Sequence, residues 1–418
     1  MVETKNTNTK YPKSYNYTPA PKKKKKKRKK ERKLWVRILT IVLWCLAGFV
    51  VLAFLVLKLD SDFGGRVTKE DQDSYKSRAD ASYYKNGEFT NGDSFTLFTN
   101  KGGSNNLYSE KGKTPEDQLP TATPLFLENA KKNDFSYTWF GHSSFMIQMS
   151  DLNILVDPMF SDRSSPFGWI GPKRFSKCPI SANALPQIDA VFISHDHYDH
   201  LDRQTIQAID RKVERYFVPL GIEKHLIRWG VSADKIQTMA WWDEYQYKGI
   251  TIAATPTQHF SGRQLFDSNE TLWASLVLKD NNRKIYYSAD GGMDDRFEKI
   301  HQKYGDFDLA ILECGQYNPK WAGVHMFPEE AVEAGKKLHA TYVTPVHWGA
   351  FVLSSHAWDD PVERFTRAYE SQYSSSSHLL TPEIGRTLEG SFSAESSKLT
   401  FTAQSMKKAN YRWWRDYN

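Results

Sequence analysis

The segment AVFISHDHYDHLD, residues 190–202, constrains the fold of this chain more than any other feature. A strand-like run is followed by four metal-competent side chains within six positions, which are His195, His197, Asp199 and His200. Because alternate residues of an extended chain point the same way, the first three can converge on one point as the chain leaves the sheet. Imidazole nitrogens beside a carboxylate suit a divalent cation such as Zn²⁺, and two adjacent clusters suit a two-metal site.

One such motif cannot complete two metal coordination shells, so more distant donors are required. Three further candidates follow strand-like runs, namely His259 after TIAAT, Asp290 after IYYSA and His347 after YVTPV. Functional groups on α/β scaffolds usually sit where strands end, so we expect these three to join the motif and give seven donors. For five of the 12 histidines we expect hydrogen-bonded structural roles instead: His142, His225, His301, His339 and His356.

The pattern of apolar and polar residues predicts a layered α/β fold from about residue 134. Ten short apolar or alternating runs predict strands: FSYTWF, FMIQM, NILV, AVFIS, RYFV, TIAAT, ASLVLK, KIYYSA, DLAILE and YVTPV. Five stretches predict helices: Arg203–Ile209, Ile222–Trp229, Arg296–Tyr304, Pro328–Leu338 and Pro361–Tyr369. Strands that dominate early and alternate with helices later favour sheets that pack together and are covered by helices.

A second constraint lies near the N-terminus, where Ile38–Leu57 runs for twenty residues without a charge. A helix of that length spans about 30 Å, the thickness of the hydrocarbon core of a bilayer. The apolar core of a secretory signal peptide is shorter, usually about 7–15 residues. We therefore expect an uncleaved, single-pass membrane anchor.

Charge predicts how this anchor is oriented. Residues 22–33, KKKKKKRKKERK, hold eleven positive side chains and one negative, whereas residues 58–73 hold three positive and five negative. The positive-inside rule then places the N-terminus in the cytosol and everything after the anchor outside the cell membrane. The formal charge of +7 comes from this run, and the rest of the chain is slightly acidic, so we expect no nucleic-acid partner.

These features divide the chain into five segments. We expect a basic cytoplasmic tail (1–33), a transmembrane anchor (34–58), a stalk and lead-in (59–133), a catalytic domain (134–392) and a C-terminal tail (393–418). Cys45 falls in the anchor, and the sequence leaves open whether Cys178 and Cys314 pair.

The sequence segments around the motif resemble those of a known family. SHDHYDHLD resembles the HxHxDH signature of the metallo-β-lactamase superfamily, whose fold is an αββα sandwich with a two-metal cleft. The branch of N-acyl-phosphatidylethanolamine-hydrolysing phospholipase D is the most similar, through the ordered segments WFGHSSFMIQM, ILVDPMFSDRSSP, GPKRF, LPQIDAVFISHDHYDHLD, FVPLG, WWDE, TPTQHF, LWASLVL, YYSADGG, FDLAILECGQYNPKW, HMFPEEAV and PVHWGAF. The resemblance covers about residues 135–390.

The resemblance implies a role for each matching position. One Zn²⁺ is expected on His195, His197 and His259, and the other on Asp199, His200 and His347, with Asp290 bridging. Asp157 matches a carboxylate that orients ligands from outside the coordination shell. His325 matches a position near the phosphate of the substrate, which makes Asp199, Asp290 and His325 the expected catalytic residues. The family usually reads G-D-T around the bridging Asp, whereas this chain has Ala289 and Gly291 on either side of it.

The resemblance implies a zinc-dependent phosphodiesterase of the phospholipase D type, anchored in a membrane. Its substrate would be N-acyl-phosphatidylethanolamine or a related phospholipid, cleaved by attack of a metal-bridging hydroxide, and the enzyme would form a homodimer. Two alternatives stay open. The same centre serves hydrolysis of a lactone, an amide or a soluble phosphodiester, and a chain with a degenerate cleft would be a non-catalytic, membrane-tethered binding protein.

Overall fold

A computed structural model describes residues 22–92, 95, 97, 112–127, 133–373, 378–393 and 398–417. Residues 1–21 of the expected cytoplasmic tail and parts of the expected stalk lie outside the described residues. The chain separates into two compact units, residues 1–60 and 61–418. The first unit contributes one described helix, α1 (Lys22–Leu59), whose stretch Lys26–Val56 is long and apolar enough to cross a membrane.

Two large sheets form the centre of the second unit. The first sheet has eight strands in the spatial order β16 (Lys398–Phe401), β15 (Thr387–Ser393), β3 (Asp134–Trp139), β4 (Phe145–Met149), β5 (Leu152–Val156), β6 (Ile188–Phe192), β7 (Val213–Pro219) and β8 (Ile236–Met239). The second has six, in the order β14 (Tyr342–Val346), β13 (Leu309–Glu313), β12 (Lys284–Tyr287), β11 (Ser275–Lys279), β10 (Ile250–Thr255) and β9 (Glu244–Tyr247). A small hairpin pairs β1 (Tyr84–Lys85) with β2 (Glu88–Phe89).

Both sheets are mixed, and their parallel strands matter most for function. In the first sheet β5, β6, β7 and β8 run parallel, and in the second β12, β13 and β14 do so. Parallel neighbours require crossover connections, which here carry the helices. The seven further helices are α2 (Lys69–Arg78), α3 (Arg203–Ile209), α4 (Ile222–Arg228), α5 (Arg296–Tyr304), α6 (Pro328–Lys337), α7 (Asp360–Gln372) and α8 (Ala403–Ala409).

Three apolar clusters hold the layers together. The largest lies between the sheets, where the rings of Phe145 and Tyr287 meet at 5.0 Å between centroids. A second cluster packs α5, α6 and α7 against the outer face of the six-stranded sheet, and a third packs α3 and α4 against the eight-stranded sheet. The order helix, sheet, sheet, helix confirms the layered α/β architecture predicted from the sequence.

Segments outside the expected catalytic domain also contribute to its core. Tyr75, Tyr84 and Phe89 are buried in the central cluster, and so are Trp413 and Trp414 near the C-terminus. The boundaries expected at residues 58, 133 and 392 stay a prediction. All three cysteines are free, so Cys178 and Cys314 do not pair.

Candidate metal centre

The candidate centre lies where strands of both sheets end. His195 to His200 follow β6 of the eight-stranded sheet, and Asp202 then caps α3 by accepting hydrogen bonds from Gln204 N and Thr205 N. His259, Asp290 and His347 follow β10, β12 and β14 of the six-stranded sheet. The facing sheets thereby bring together side chains from four separate stretches of the chain.

Three imidazoles and one carboxylate form the first group. His195 Nε2 lies 2.9 Å from His197 Nδ1, and His259 Nε2 lies 3.2 Å from the same atom. Asp290 Oδ2 is 3.8 Å from the Nε2 atoms of both His195 and His259. Ligand atoms around a tetrahedral Zn²⁺ at about 2.0–2.2 Å stand roughly 3.3 Å apart, so these spacings fit one cation.

The second group shares the Asp290 carboxylate. Asp290 Oδ2 lies 3.2 Å from both His200 Nε2 and His347 Nε2, and Asp199 Oδ2 lies 3.6 Å from His200 Nε2. A single carboxylate oxygen therefore faces four imidazole nitrogens from two groups. Among the described residues Asp290 Oδ1 has no hydrogen-bond partner although it is buried, which is the condition of an oxygen available to a cation.

Hydrogen bonds on the far side of each ring fix which nitrogen faces the centre. His195 Nδ1 donates to Ser194 Oγ at 2.9 Å, and His259 Nδ1 donates to the carbonyl of Val324 at 3.1 Å. Their Nε2 atoms therefore carry lone pairs, and both lone pairs are aimed at His197. A cation between these nitrogens removes the repulsion, so the donor set fits a divalent metal.

The pKa shifts of the candidate ligands agree with a divalent-metal site. Burial holds the pKa values of His195, His259 and His347 well below the usual value, so these rings are neutral and their lone pairs are free at neutral pH. Burial acts in the opposite sense on Asp290, but the charge of His200 outweighs it and holds the pKa of this carboxyl well below its usual range. Burial alone would lower the pKa of His200, but the charges of Asp290 and Asp199 raise it well above the usual value. The site thus combines ionised carboxylate with neutral rings at His195, His259 and His347, and metal binding at His200 would release the proton that the carboxylates favour there.

Asp157 lies behind the centre, at the end of β5. Its carboxylate accepts hydrogen bonds from Ser194 N (2.7 Å), Ser194 Oγ (2.6 Å), His200 Nδ1 (2.8 Å) and Tyr287 Oη (2.7 Å). It therefore orients His200 directly and His195 through Ser194, without facing the centre itself.

His325 lies at the rim of the same centre. Its ring stacks on that of His347 at 5.4 Å between centroids, and its Nδ1 lies 3.4 Å from Glu313 Oε1. Burial alone would lower the pKa of His325, but the charge of Glu313 raises it above the usual value. A raised pKa favours the cationic form of this ring, which suits an anionic substrate.

His142 was expected to be a hydrogen-bonded structural residue, and the structure gives it a more specific place. Its Nε2 donates to Asp199 Oδ2 at 2.7 Å, and its ring lies 4.1 Å from that of His347. It follows β3, as the other donors follow their strands. The sequence does carry a signal for this role, since Gly141-His142 comes directly after a strand-like run. In the structure both residues adopt positive φ.

We expect His142→Leu to weaken metal binding about 10–100-fold, because Asp199 loses the hydrogen bond that orients it. The measurement is zinc competition against a chromophoric chelator. His142→Gln is the matched control, since its amide nitrogen can still donate to Asp199. Equal affinities for the wild type and the leucine variant would contradict the role of His142.

A cavity of about 290 Å³ opens above the centre. His197, Asp199, Asp290, His325 and His347 form its polar end. The remaining lining residues are mostly apolar: Leu97, Phe260, Gln316, Trp321, Val324 and Leu353. This arrangement suits an amphiphilic ligand whose charged group faces the histidines.

Comparisons with known proteins agree with the fold. The model of the beta-lactamase superfamily domain matches residues 152–348. An uncharacterized protein of Mycobacterium tuberculosis is 38% identical over 301 residues, covering 69% of this chain and 80% of the relative. N-acyl-phosphatidylethanolamine-hydrolyzing phospholipase D 1 of Caenorhabditis elegans is 32% identical, covering 65% and 83%. The mitochondrial N-acyl-phosphatidylethanolamine-hydrolyzing phospholipase D of Saccharomyces cerevisiae is 33% identical, covering 65% and 59%.

Proposed function

Because this chain belongs to the beta-lactamase superfamily and is a hydrolase of that family, we propose that it is a zinc-dependent phosphodiesterase of the phospholipase D type. Its substrate is N-acyl-phosphatidylethanolamine or a closely related phospholipid. The observation that carries this proposal is the pair of imidazole groups whose nitrogens lie within 3.8 Å of the Asp290 carboxylate, at the polar end of an apolar-walled cavity.

The residues divide into two ligand sets. His195, His197 and His259 would hold one Zn²⁺, Asp199, His200 and His347 would hold the other, and Asp290 would contribute to both sets. Two divalent cations held in this way supply Lewis-acid chemistry, which generates a nucleophile from water at neutral pH and neutralises charge on phosphoryl oxygens.

The other side chains position the substrate and the ligands. His325, fixed by the buried Glu313, binds a phosphoryl oxygen at the rim of the centre. The apolar walls formed by Phe260 and Trp321 receive the aliphatic part of the lipid and exclude water from the reacting bond. Asp157 holds His200 in the orientation that its Nδ1 hydrogen bond fixes.

The apolar helix α1 anchors this enzyme in the cell membrane. Its flanking charges favour a cytoplasmic N-terminus and an extracytoplasmic catalytic unit. An anchor keeps the cleft near its lipid substrate and so raises the effective concentration of that substrate without any new binding contact.

The experiment is a substrate panel on the full-length, zinc-loaded protein in mixed micelles. We expect release of phosphatidic acid from N-acylated phosphatidylethanolamine, and the same preparation of Asp290→Asn as control should release none. Cleavage of a lactone or an amide without phosphatidic acid would replace the proposed substrate with another bond. A folded, metal-loaded protein that turns over no member of the panel would favour a binding protein.

A further inference from the structure

Large apolar side chains at full exposure are uncommon in a folded domain, and two loops here carry four of them. Phe266 is 91% exposed and Leu265 70%, on the loop after His259, while Trp169 is 76% exposed and Ile170 50%, on the loop after β5. In the described part of the chain after residue 60, only three other large apolar residues are exposed: Leu125, Ile227 and Tyr411. A concentrated apolar surface of this kind marks an interaction site.

The tip of the first loop is built to present its side chains outward. Asp267 accepts hydrogen bonds from Arg263 N and Gln264 N, which closes a tight turn around Leu265 and Phe266. Two backbone donors at the start of the turn are therefore satisfied within it. The two apolar side chains have no packing role and face solvent.

Arg263 fixes the base of this loop to the metal-binding motif. Its guanidinium is buried, donates to the carbonyls of Asp196 and Leu201, and lies 3.9 Å from the ring of Tyr198. Tyr198 Oη in turn donates to the carbonyl of Arg263 at 2.8 Å. The exposed tip is thus rigidly connected to the centre, and Phe260 of the same loop lines the cavity.

The second loop is a hairpin with cationic residues at its base. Arg163 and Lys173 pair across it, and Arg163 Nη1 donates to the carbonyl of Gly171 at 2.6 Å. Trp169 and Ile170 lie at the tip. An aromatic and an aliphatic side chain above two cations is a composition typical of segments that sit at the interface of a membrane.

The segment 62–66 joins the two loops. Phe63 packs on Phe167 of the hairpin at 5.8 Å between ring centroids, and its carbonyl accepts from Gln264 Nε2 at 3.3 Å. Arg263 Nη2 donates to the carbonyl of Asp62 at 3.0 Å. These contacts fix both loops to the same short segment after the anchor.

The few residues between the apolar helix and Phe63 indicate that a bilayer covers this surface. The apolar helix ends at Leu59, and Phe63 follows four residues later. Four residues of extended chain span at most about 14 Å, so a helix embedded in a bilayer holds the segment 62–66 close to the lipid headgroups.

We infer that Trp169, Ile170, Leu265 and Phe266 form a bilayer-docking surface that inserts into the leaflet next to the anchor and turns the cleft toward its lipid. This inference rests on the proposed membrane anchoring. We expect the apolar side chains, and not a net positive charge, to drive binding, because Asp62 and Asp162 offset the nearby cations. Docking should therefore occur on zwitterionic as well as anionic lipid.

The direct test uses the full-length chain in phosphatidylcholine vesicles. Cys45 and Cys178 are replaced by serine, and an environment-sensitive fluorophore is attached at Phe266→Cys. We expect emission at shorter wavelength than in water and quenching by phosphatidylcholine that carries a nitroxide on its acyl chain. Tyr411→Cys, an exposed aromatic position beside the C-terminal helix, is the matched control and should keep aqueous emission.

Two results would overturn the inference. Aqueous emission at position 266 in vesicle-bound protein would show that the surface stays in solvent. Short-wavelength emission without quenching by the lipid nitroxide would show that protein, such as a second copy of the chain, covers it. Neither readout requires turnover, so the surface can stand even if the phospholipid substrate proves wrong.

A second arm links the surface to activity. We expect Leu265→Ser combined with Phe266→Ser to lower hydrolysis of vesicle phospholipid about tenfold or more, since two apolar side chains no longer enter the lipid. Hydrolysis of a soluble phosphodiester and the melting temperature should not change, because both side chains are exposed. Equal activity of this variant and the wild type on vesicles would contradict docking.

Discussion

Replacing Asp290 with asparagine will abolish hydrolysis while the chain remains folded. Asp290 Oδ2 lies within 3.8 Å of four imidazole nitrogens, two from each group, so one oxygen serves both expected metal positions. The amide preserves the volume of the side chain but removes the negative charge that balances the cations. We expect the rate to fall on the order of 10³-fold or more, since the electrostatic centre of the site is lost.

The measurement is the hydrolysis rate together with the metal content of the purified variant. Asp280→Asn is the matched control: Asp280 forms an ion pair with the buried Arg283 in the turn before β12, at the opposite end of that strand from Asp290. That change should lower stability and leave activity and metal content intact. Wild-type activity in Asp290→Asn would remove the shared carboxylate from the proposed mechanism.

Replacing Asp157 with alanine will weaken both the fold and the centre. The carboxylate accepts four hydrogen bonds in a fully buried position, so its loss leaves Ser194, Tyr287 and His200 with unsatisfied donors. We expect the free energy of unfolding to fall by about 3–5 kcal/mol, the usual cost of removing one partner from a buried charged network. Metal affinity should also fall about 10–100-fold, because His200 loses the contact that orients it.

Chemical denaturation of the metal-free and zinc-loaded forms separates the two effects. A loss of stability in the metal-free form reports on the hydrogen bonds alone, and an additional loss in the loaded form reports on metal binding. Asp157→Asn is the control, because it retains one carbonyl oxygen as an acceptor and should have an intermediate effect. An alanine variant with wild-type metal affinity would show that Asp157 has only a structural role.

The fold was largely predictable where periodicity is strong. All ten predicted strands correspond to observed ones, and α3 and α5 have the predicted bounds. Among the described residues six strands were not predicted: β1, β2, β8, β9, β15 and β16. Of these, β15 and β16 form an edge of the first sheet. The sequence of β15, TLEGSFS, contains a charge and a glycine, and its partner β3 is about 250 residues away, so no local pattern reveals the pairing.

The helix α2 was missed for a different reason. Its sequence KEDQDSYKSR has one buried residue, Tyr75, so it lacks an apolar stripe. Its start does carry a signal, since Thr68 and Asp71 form a capping box. Capping chemistry can identify such a helix where apolar periodicity cannot.

The metal-donor residues of the candidate site could be predicted from the sequence, but the hydrogen bonds that orient them could not. His259, Asp290 and His347 could be selected because each follows a strand-like run. The hydrogen bonds from His142 to Asp199 and from Tyr287 to Asp157 join residues far apart in sequence. The first connects loops that follow two strands of the eight-stranded sheet, and the second crosses from one sheet to the other, so only the tertiary fold reveals them.

The number of divalent ions that one chain binds tests the central claim most directly. Metal-free full-length protein titrated with zinc should bind two ions per chain with high affinity, and Asp290→Asn should lose at least one of them. A folded wild-type protein that binds no zinc, or that binds two ions equally well without Asp290, would contradict a centre built on this shared carboxylate.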